Sequence, residues 1–146
     1  MTGWTFNPET FKCYKIFKSH LSWIEASDTC QSLAPTGEGK LLPVTKRHLA
    51  SITSEEENNF VAGLLHGKVA WLGSVILPDE KTWIWTDGSQ FVFKNWKGGE
   101  PNNARGKENA LVMNWPGVRV SGWWNDAPFT HRFAFVCQYL DLNQFM

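Results

Sequence analysis

Two stretches of the chain place apolar residues at helical spacing behind recognisable caps. Ser22 followed three residues later by Glu25 forms a capping box, and Trp23, Ala26, Cys30 and Leu33 then recur at intervals of three, four and three. This pattern predicts a first helix with Cys30 on its buried side. Ser54 and Glu57 repeat the box, Glu55 and Glu56 stand at the positive end of the helix dipole, and Phe60, Val61, Leu64 and Leu65 form the stripe of a second helix. His66 and Gly67 stop it. Between the helices, Pro35, Gly37, Gly39 and Pro43 mark 34–48 as an extended loop, and 49–52 reads as a short strand. Further strands are predicted over 69–73, 82–85, 111–114 and 133–139, with a turn at Thr86-Asp87-Gly88-Ser89. Helices first and short strands later make an α+β arrangement. The segment 95–109 fits neither period. It is polar and glycine-rich, and a loop of that length inside a domain is usually functional or disordered.

Composition narrows the function classes. A chain of 146 residues forms one domain, residues 1–146, since roughly 70% of the unfolded surface is buried at about this length. Fourteen basic residues balance fourteen acidic ones, which removes the charge footprint of a nucleic-acid binder. No apolar run approaches the roughly 20 residues that span a bilayer, so membrane insertion is not expected. The first thirty residues lack a basic stretch followed by an apolar one, so a secreted protein would be present here in mature or excised form. Three cysteines, Cys13, Cys30 and Cys137, cannot all pair within one chain, and none has the close spacing of a zinc or redox pair. One is free or pairs outside the chain. Nine tryptophans require large apolar pockets or exposed stacking surfaces; Trp23, Trp71, Trp83, Trp85 and Trp96 fall on predicted helix faces, strands or strand ends and are read as core.

Oxygen-bearing side chains gather late in the chain. Glu100, Asn102, Glu108, Asn125 and Asp126 offer three carboxylates and two amide carbonyls in or beside irregular segments. Calcium takes six to eight such oxygens at about 2.3 to 2.6 Å and tolerates ligands drawn from two loops. The same residue types also populate ordinary turns. The order in which they come is more specific: Glu100-Pro101-Asn102, Glu108, Trp124-Asn125-Asp126, then Phe135-Val136-Cys137. With Gly3-Trp4, Cys13-Tyr14-Lys15, the helix ending at Cys30, Trp71-Leu72-Gly73, the run from Trp83 to Ser89, and Asn95-Trp96, this set resembles the C-type lectin-like domain over essentially the whole chain.

The resemblance implies a fold of two helices flanking small antiparallel sheets, with a long loop region that binds calcium. It implies that Glu100, Asn102, Glu108, Asn125 and Asp126 hold one Ca2+ and that Glu100, Asn102, Glu108 and Asn125 also hydrogen-bond the sugar. Two vicinal hydroxyls would replace water on the ion while donating to carboxylates and accepting from amides. The Glu-Pro-Asn order resembles that of lectins for mannose, fucose and N-acetylglucosamine, and Pro101 is expected to be cis. A disulfide from Cys30 to Cys137 is implied, as is a secreted or extracellular setting. Trp115 and Trp123 are candidate platforms for a sugar face, and Lys97, Arg105 and Lys107 could touch an acidic ligand. The expected partners are carbohydrates, with an oligomer or multidomain parent compensating for weak single sites.

Departures from the family pattern matter equally. At the positions of a second family disulfide stand Ala110 and Phe129, so the loop region is expected to depend on bound calcium for its order. Cys13 lacks the partner that longer members carry before Gly3-Trp4. Positions of a further calcium site hold Ile76, Glu80, Asn103 and Asn109, poorer in charge than usual. Two rival classes remain: a protein-interaction or ice-binding module on the same fold, and a small glycoside hydrolase using the clustered carboxylates. No nucleophile elbow supports a Ser-His-Asp enzyme, and His20, His48, His66 and His131 are scattered.

Overall fold

Both predicted helices form in the computed structural model, which describes residues 3–33, 40–42, 44–103, 106–117 and 119–145. Arg105 and the prolines and glycines Pro35, Gly37, Gly39 and Pro43 lie outside the described residues. Helix α1 spans Trp23–Ser32 behind a complete capping box: Glu25 N donates to Ser22 Oγ at 3.3 Å and Ser22 N to Glu25 Oε1 at 3.0 Å. Trp23, Ala26 and Cys30 are buried, as the spacing predicts. Helix α2 spans Glu55–Leu65 and ends at His66 in the left-handed conformation, with Gly67 following at φ 86°.

The second box is only half made. Ser54 Oγ accepts from Glu57 N at 3.1 Å, but the Glu57 carboxylate turns inward. It accepts from Thr53 N at 2.8 Å, Lys12 Nζ at 2.9 Å and the Tyr14 hydroxyl at 2.5 Å. Glu57 is 1% exposed, so this buried charge is held by a paired ammonium and by further donors that include the Thr53 hydroxyl at 3.2 Å. Burial, followed by the Glu57 charge, pushes the Tyr14 phenol far above its ordinary range and keeps it a donor.

The strands begin earlier than the sequence pattern indicates. Strands β1 (Thr5–Asn7) and β2 (Lys12–Leu21) precede α1, so the predicted order of helices first and strands later is corrected. After α1 come β3 (His48–Leu49), then α2, β4 (Ala70–Ile76), β5 (Trp83–Trp85), β6 (Ala110–Met113), β7 (Trp124–Ala127) and β8 (Phe133–Leu140). They form an eight-stranded sheet in the order β1-β2-β8-β4-β6-β7, with β3 on β8 and β5 on β4. The α+β class stands, but the sheet is mixed: β4 and β8 run parallel through Ala70↔Ala134 and Trp71↔Phe135. Gly73 permits the close approach of β4 to β3, since a Cβ there would meet Leu49 O at 2.6 Å.

Two apolar clusters fill the sheet faces. The first gathers Tyr14, Ile52, Val61, Leu65, Leu72, Trp83, Trp85 and Trp124 under α2. The second gathers Trp23, Ala26, Cys30, Trp71, Ala110, Val112, Phe135 and Cys137 under α1. Here the implied disulfide is present, joining Cys30 to Cys137 across 107 residues with Cα atoms 5.4 Å apart. Cys13 is a buried free thiol that burial raises above its ordinary pKa, which leaves it unreactive. Where the second bridge is absent, Phe129 packs on Trp23 with ring centroids 5.6 Å apart, and Trp23 N donates to Phe129 O at 3.0 Å. Replacing Glu57 by Ala should cost about 3 kcal/mol in denaturant unfolding, because it leaves the Lys12 ammonium with only the neutral Ser51 oxygens and the Tyr14 hydroxyl with only Thr10. A loss below about 1 kcal/mol would show that this network carries little of the fold's stability.

Candidate functional site

Asn125 and Asp126, read from sequence as lying beside an irregular segment, sit within a strand. Strand β7 pairs with β6 through Leu111↔Asp126 and Val112↔Asn125. On its other side the incoming chain forms a parallel bridge, Trp96↔Trp124, with Lys97 N donating to Trp124 O at 2.9 Å. Asn125 and Asp126 are buried, their backbone held by β6 and the preceding Trp124 held on the other edge as well.

The loop carrying Glu100 folds back onto this strand. Glu100 N closes a turn on Lys97 O at 2.8 Å, and the Glu100–Pro101 bond is cis, as the resemblance implies. Asp126 then anchors the loop with both oxygens: Oδ1 accepts from Asn102 N at 3.2 Å and Oδ2 from Asn103 N at 2.6 Å. Asn103, at φ 45°, passes the link on, its Oδ1 accepting from Glu108 N at 3.2 Å. These bonds tie the loop to the sheet through the Asp126 side chain. Of the positions for a further ion, Ile76 packs against the core and Asn103 is occupied by these contacts.

Electrostatics single out Glu100. Burial, then a hydrogen bond and the charge of Asp126, then the charge of Glu108, hold its carboxyl above the usual carboxylate range. Glu100 Oε1 is buried with no hydrogen-bond partner, and so is Asn125 Oδ1. Unpaired buried oxygens beside like-charged carboxylates are a cost that a cation removes. Among the described residues no three His, Cys, Asp or Glu side chains converge closely enough to hold an ion by themselves. A metal here needs the amide oxygens of Asn102 and Asn125 beside the carboxylates, and a hard, oxygen-rich, irregular donor set suits calcium. The residues fit that ion.

The candidate platforms separate. Trp115 is half-buried against the second apolar cluster, with the following proline, Pro116, also cis. Trp123 is half-buried, and cations already lie over its ring: the Arg119 guanidinium at 4.8 Å and Lys97 Nζ at 6.0 Å from the centroid. Sequence reading missed the residues that hold this region. Gly122 O accepts from Asn58 Nδ2 at 3.1 Å and Asn95 Nδ2 at 2.7 Å, while Gly122 N donates to Asn114 Oδ1 at 2.8 Å. Asn58 Oδ1 also accepts from Trp124 Nε1 at 2.7 Å. A side chain at Gly122, φ 69°, would strike Asn58 Nδ2 at 2.9 Å. Asparagine is so common in turns that its spacing alone gives no sign of such a clasp.

The sheet-anchored loop thus brings the Glu-Pro-Asn turn against the Asn-Asp strand, as the ordered motif implies. The family model described as "Lectin C-type domain" matches residues 19–139, and the chain belongs to the C-type lectin domain family. A lectin of Pleurodeles waltl is 32% identical over 142 residues, covering 94% of this chain and 74% of that protein. The low affinity immunoglobulin epsilon Fc receptor of Mus musculus is 35% identical over 131 residues, 88% of this chain, which spans only 34% of the receptor's length. The carbohydrate-recognition domain of cow CD23, solved in the presence of GlcNAc2Man3 oligosaccharide, matches at TM-score 0.78 and 30% identity, over 97% of this chain and 95% of that one. A calcium-independent type II antifreeze protein shares the fold at TM-score 0.74 and 24% identity, over 94% and 92% of the two chains.

Replacing Glu100 by Gln removes a charge disfavoured by burial and two neighbouring carboxylates. In chelator the variant should melt at or above the wild-type temperature. Because the folded carboxyl is raised above its unfolded value, its penalty is present above the folded pKa and disappears as pH falls through it. The gap between variant and wild type should therefore narrow in acid. A variant less stable than wild type in chelator at neutral pH would contradict this account of the site.

Proposed function

We propose that this domain binds carbohydrate in a calcium-dependent manner, with preference for mannose, fucose or N-acetylglucosamine termini. The observation that carries the reading is the pair of buried oxygens without partners, Glu100 Oε1 and Asn125 Oδ1, beside the Asp126 carboxylate. Glu100, Asn102, Glu108, Asn125 and Asp126 would hold the ion. When bound, calcium supplies open coordination positions that two vicinal sugar hydroxyls take in place of water. The chain would do the rest: the carboxylates of Glu100 and Glu108 would accept hydrogen bonds from those hydroxyls, and the amide groups of Asn102 and Asn125 would donate to their oxygens. Donor order around the turn sets which hydroxyl geometry fits, and Glu100-Pro101-Asn102 supports the mannose-type class. The oligosaccharide with which the cow domain was solved supports the same class.

Affinity for one monosaccharide should be millimolar in order, because few atoms are buried and each hydroxyl exchanges water for protein partners. Useful avidity then comes from several linked sites, whether in an oligomer or a longer parent chain. The Cys30–Cys137 bridge supports a secreted or extracellular setting, where disulfides persist. The raised Glu100 carboxyl is the one observation that favours a glycoside hydrolase, and release of reducing sugar from a bound glycan would establish that instead. An ice-binding or protein-binding role on the same fold predicts no glycan signal at all.

A glycan array read with calcium and again with chelator tests the proposal. Mannose-type signals should vanish in chelator, and binding that ignores chelator would overturn the metal-bridged reading. Glu100→Gln combined with Asn102→Asp should move preference toward galactose or abolish sugar binding. An unchanged mannose-type profile in that variant would mean these two side chains do not select the sugar.

A further inference from the structure

The chain carries no net charge, yet its charges are not evenly paired beside the candidate site. Among the described residues ion pairs form at Lys12–Glu57, Lys40–Asp141 and Arg132–Glu25, and neither Lys97 nor Arg119 takes part in one. Instead both cations lie over the ring of Trp123. They reach it from two separate segments. Lys97 is clipped to the start of β7 by its backbone bond to Trp124 O, and Arg119 comes from the loop that Gly122 closes. Trp123 stands two residues before Asn125, and Lys97 O accepts from Glu100 N, so the ring and the Lys97 ammonium are carried on the segments that also carry candidate ligands, beside those ligands in the chain and not among them. Two like charges brought to one ring repel each other, and ring attraction at an exposed site offsets this only in part. The arrangement suits a ligand that brings negative charge between them, where a planar guanidinium grips sulfate or carboxylate oxygens in pairs.

We infer that Lys97 and Arg119, carried on Trp123, form an acidic-group subsite, so that the preferred glycan bears a sulfate or carboxylate next to the sugar held at Glu100 and Asn102. This rests on the sugar-binding reading above and specifies its ligand class. Trp123 then works as the support of the two cations, and not as a stacking face for the sugar itself. The three site carboxylates repel an acidic ligand, and a bound calcium ion offsets most of that repulsion; acidic glycans should gain from calcium at least as much as neutral ones.

The test compares N-acetylglucosamine- and mannose-terminated glycans with matched 6-sulfated and carboxylated forms, in calcium, on the wild-type chain and on Lys97→Gln/Arg119→Gln. At least one acidic form should bind wild type about fivefold more tightly than its neutral parent, and this gain should shrink as salt rises. In the double variant the ratio should fall to about one while the neutral parent binds as before. Which acidic form gains identifies sulfate or carboxylate as the group recognised. Equal binding of parent and both acidic forms to wild type would overturn the subsite alone. A gain that survives in the double variant would overturn it too, since other residues would then carry it. Failure of the neutral parents to bind wild type in calcium would overturn the sugar reading and the subsite with it.

Discussion

A buried carboxylate, Asp126, is the constraint around which the functional end of the domain is arranged. With no exposure to solvent, it needs donors, and it draws them from the loop opposite, taking the backbone N–H groups of Asn102 and Asn103. That demand places Glu100 against it. Burial and the neighbouring charges of Asp126 and Glu108 then raise the Glu100 carboxyl, and one oxygen each on Glu100 and Asn125 goes without a partner. The fold thus keeps a locally unfavourable concentration of oxygen that a hard cation relieves. On the proposed reading, cation binding and local destabilisation have the same origin.

The rest of the molecule supports that concentration by rigid attachment. Strand β7 is secured on both edges, by β6 and by the segment at Trp96. Trp124 stands at the centre of an aromatic group with Trp85, Phe91, Phe93 and Trp96, and its indole N–H is satisfied by Asn58 on α2. At the other end, the Cys30–Cys137 bridge ties α1 to β8, and the tilted packing of Phe129 on Trp23 stands where a second bridge would be. An aromatic contact holds the folded state but leaves the unfolded chain unrestricted, so the loop region relies on Asp126 and on the asparagines around Gly122.

What could be read from the sequence followed from local rules. Helix α1 was legible because its cap and its apolar stripe agree, and Cys30 falls on the face that meets Cys137. Helix α2 was legible in outline, but its second box fails because Glu57 finds Lys12 and Tyr14 inside the fold, partners more than forty residues away. The early strands were missed because β2 sends Tyr14 and Ile16 into one apolar cluster and Phe17 and Leu21 into the other, so both of its faces are covered and no alternation marks it. Strand β7 was missed for a physical reason: Asn and Asp have low strand propensity, and only the pairing with β6 makes Trp124–Ala127 extended. The five candidate ligands are proposed from an ordered motif. The Gly122 clasp and the pair of cations on Trp123 depend on contacts between distant segments, which no local pattern announces.

The central claim is that these crowded oxygens are built for one cation. Titration of the metal-free chain with calcium by isothermal calorimetry measures it directly. The account predicts one ion bound per chain at neutral pH, with protons released as binding becomes linked to Glu100 in mild acid. No calcium binding, or a stoichiometry of two, would contradict it.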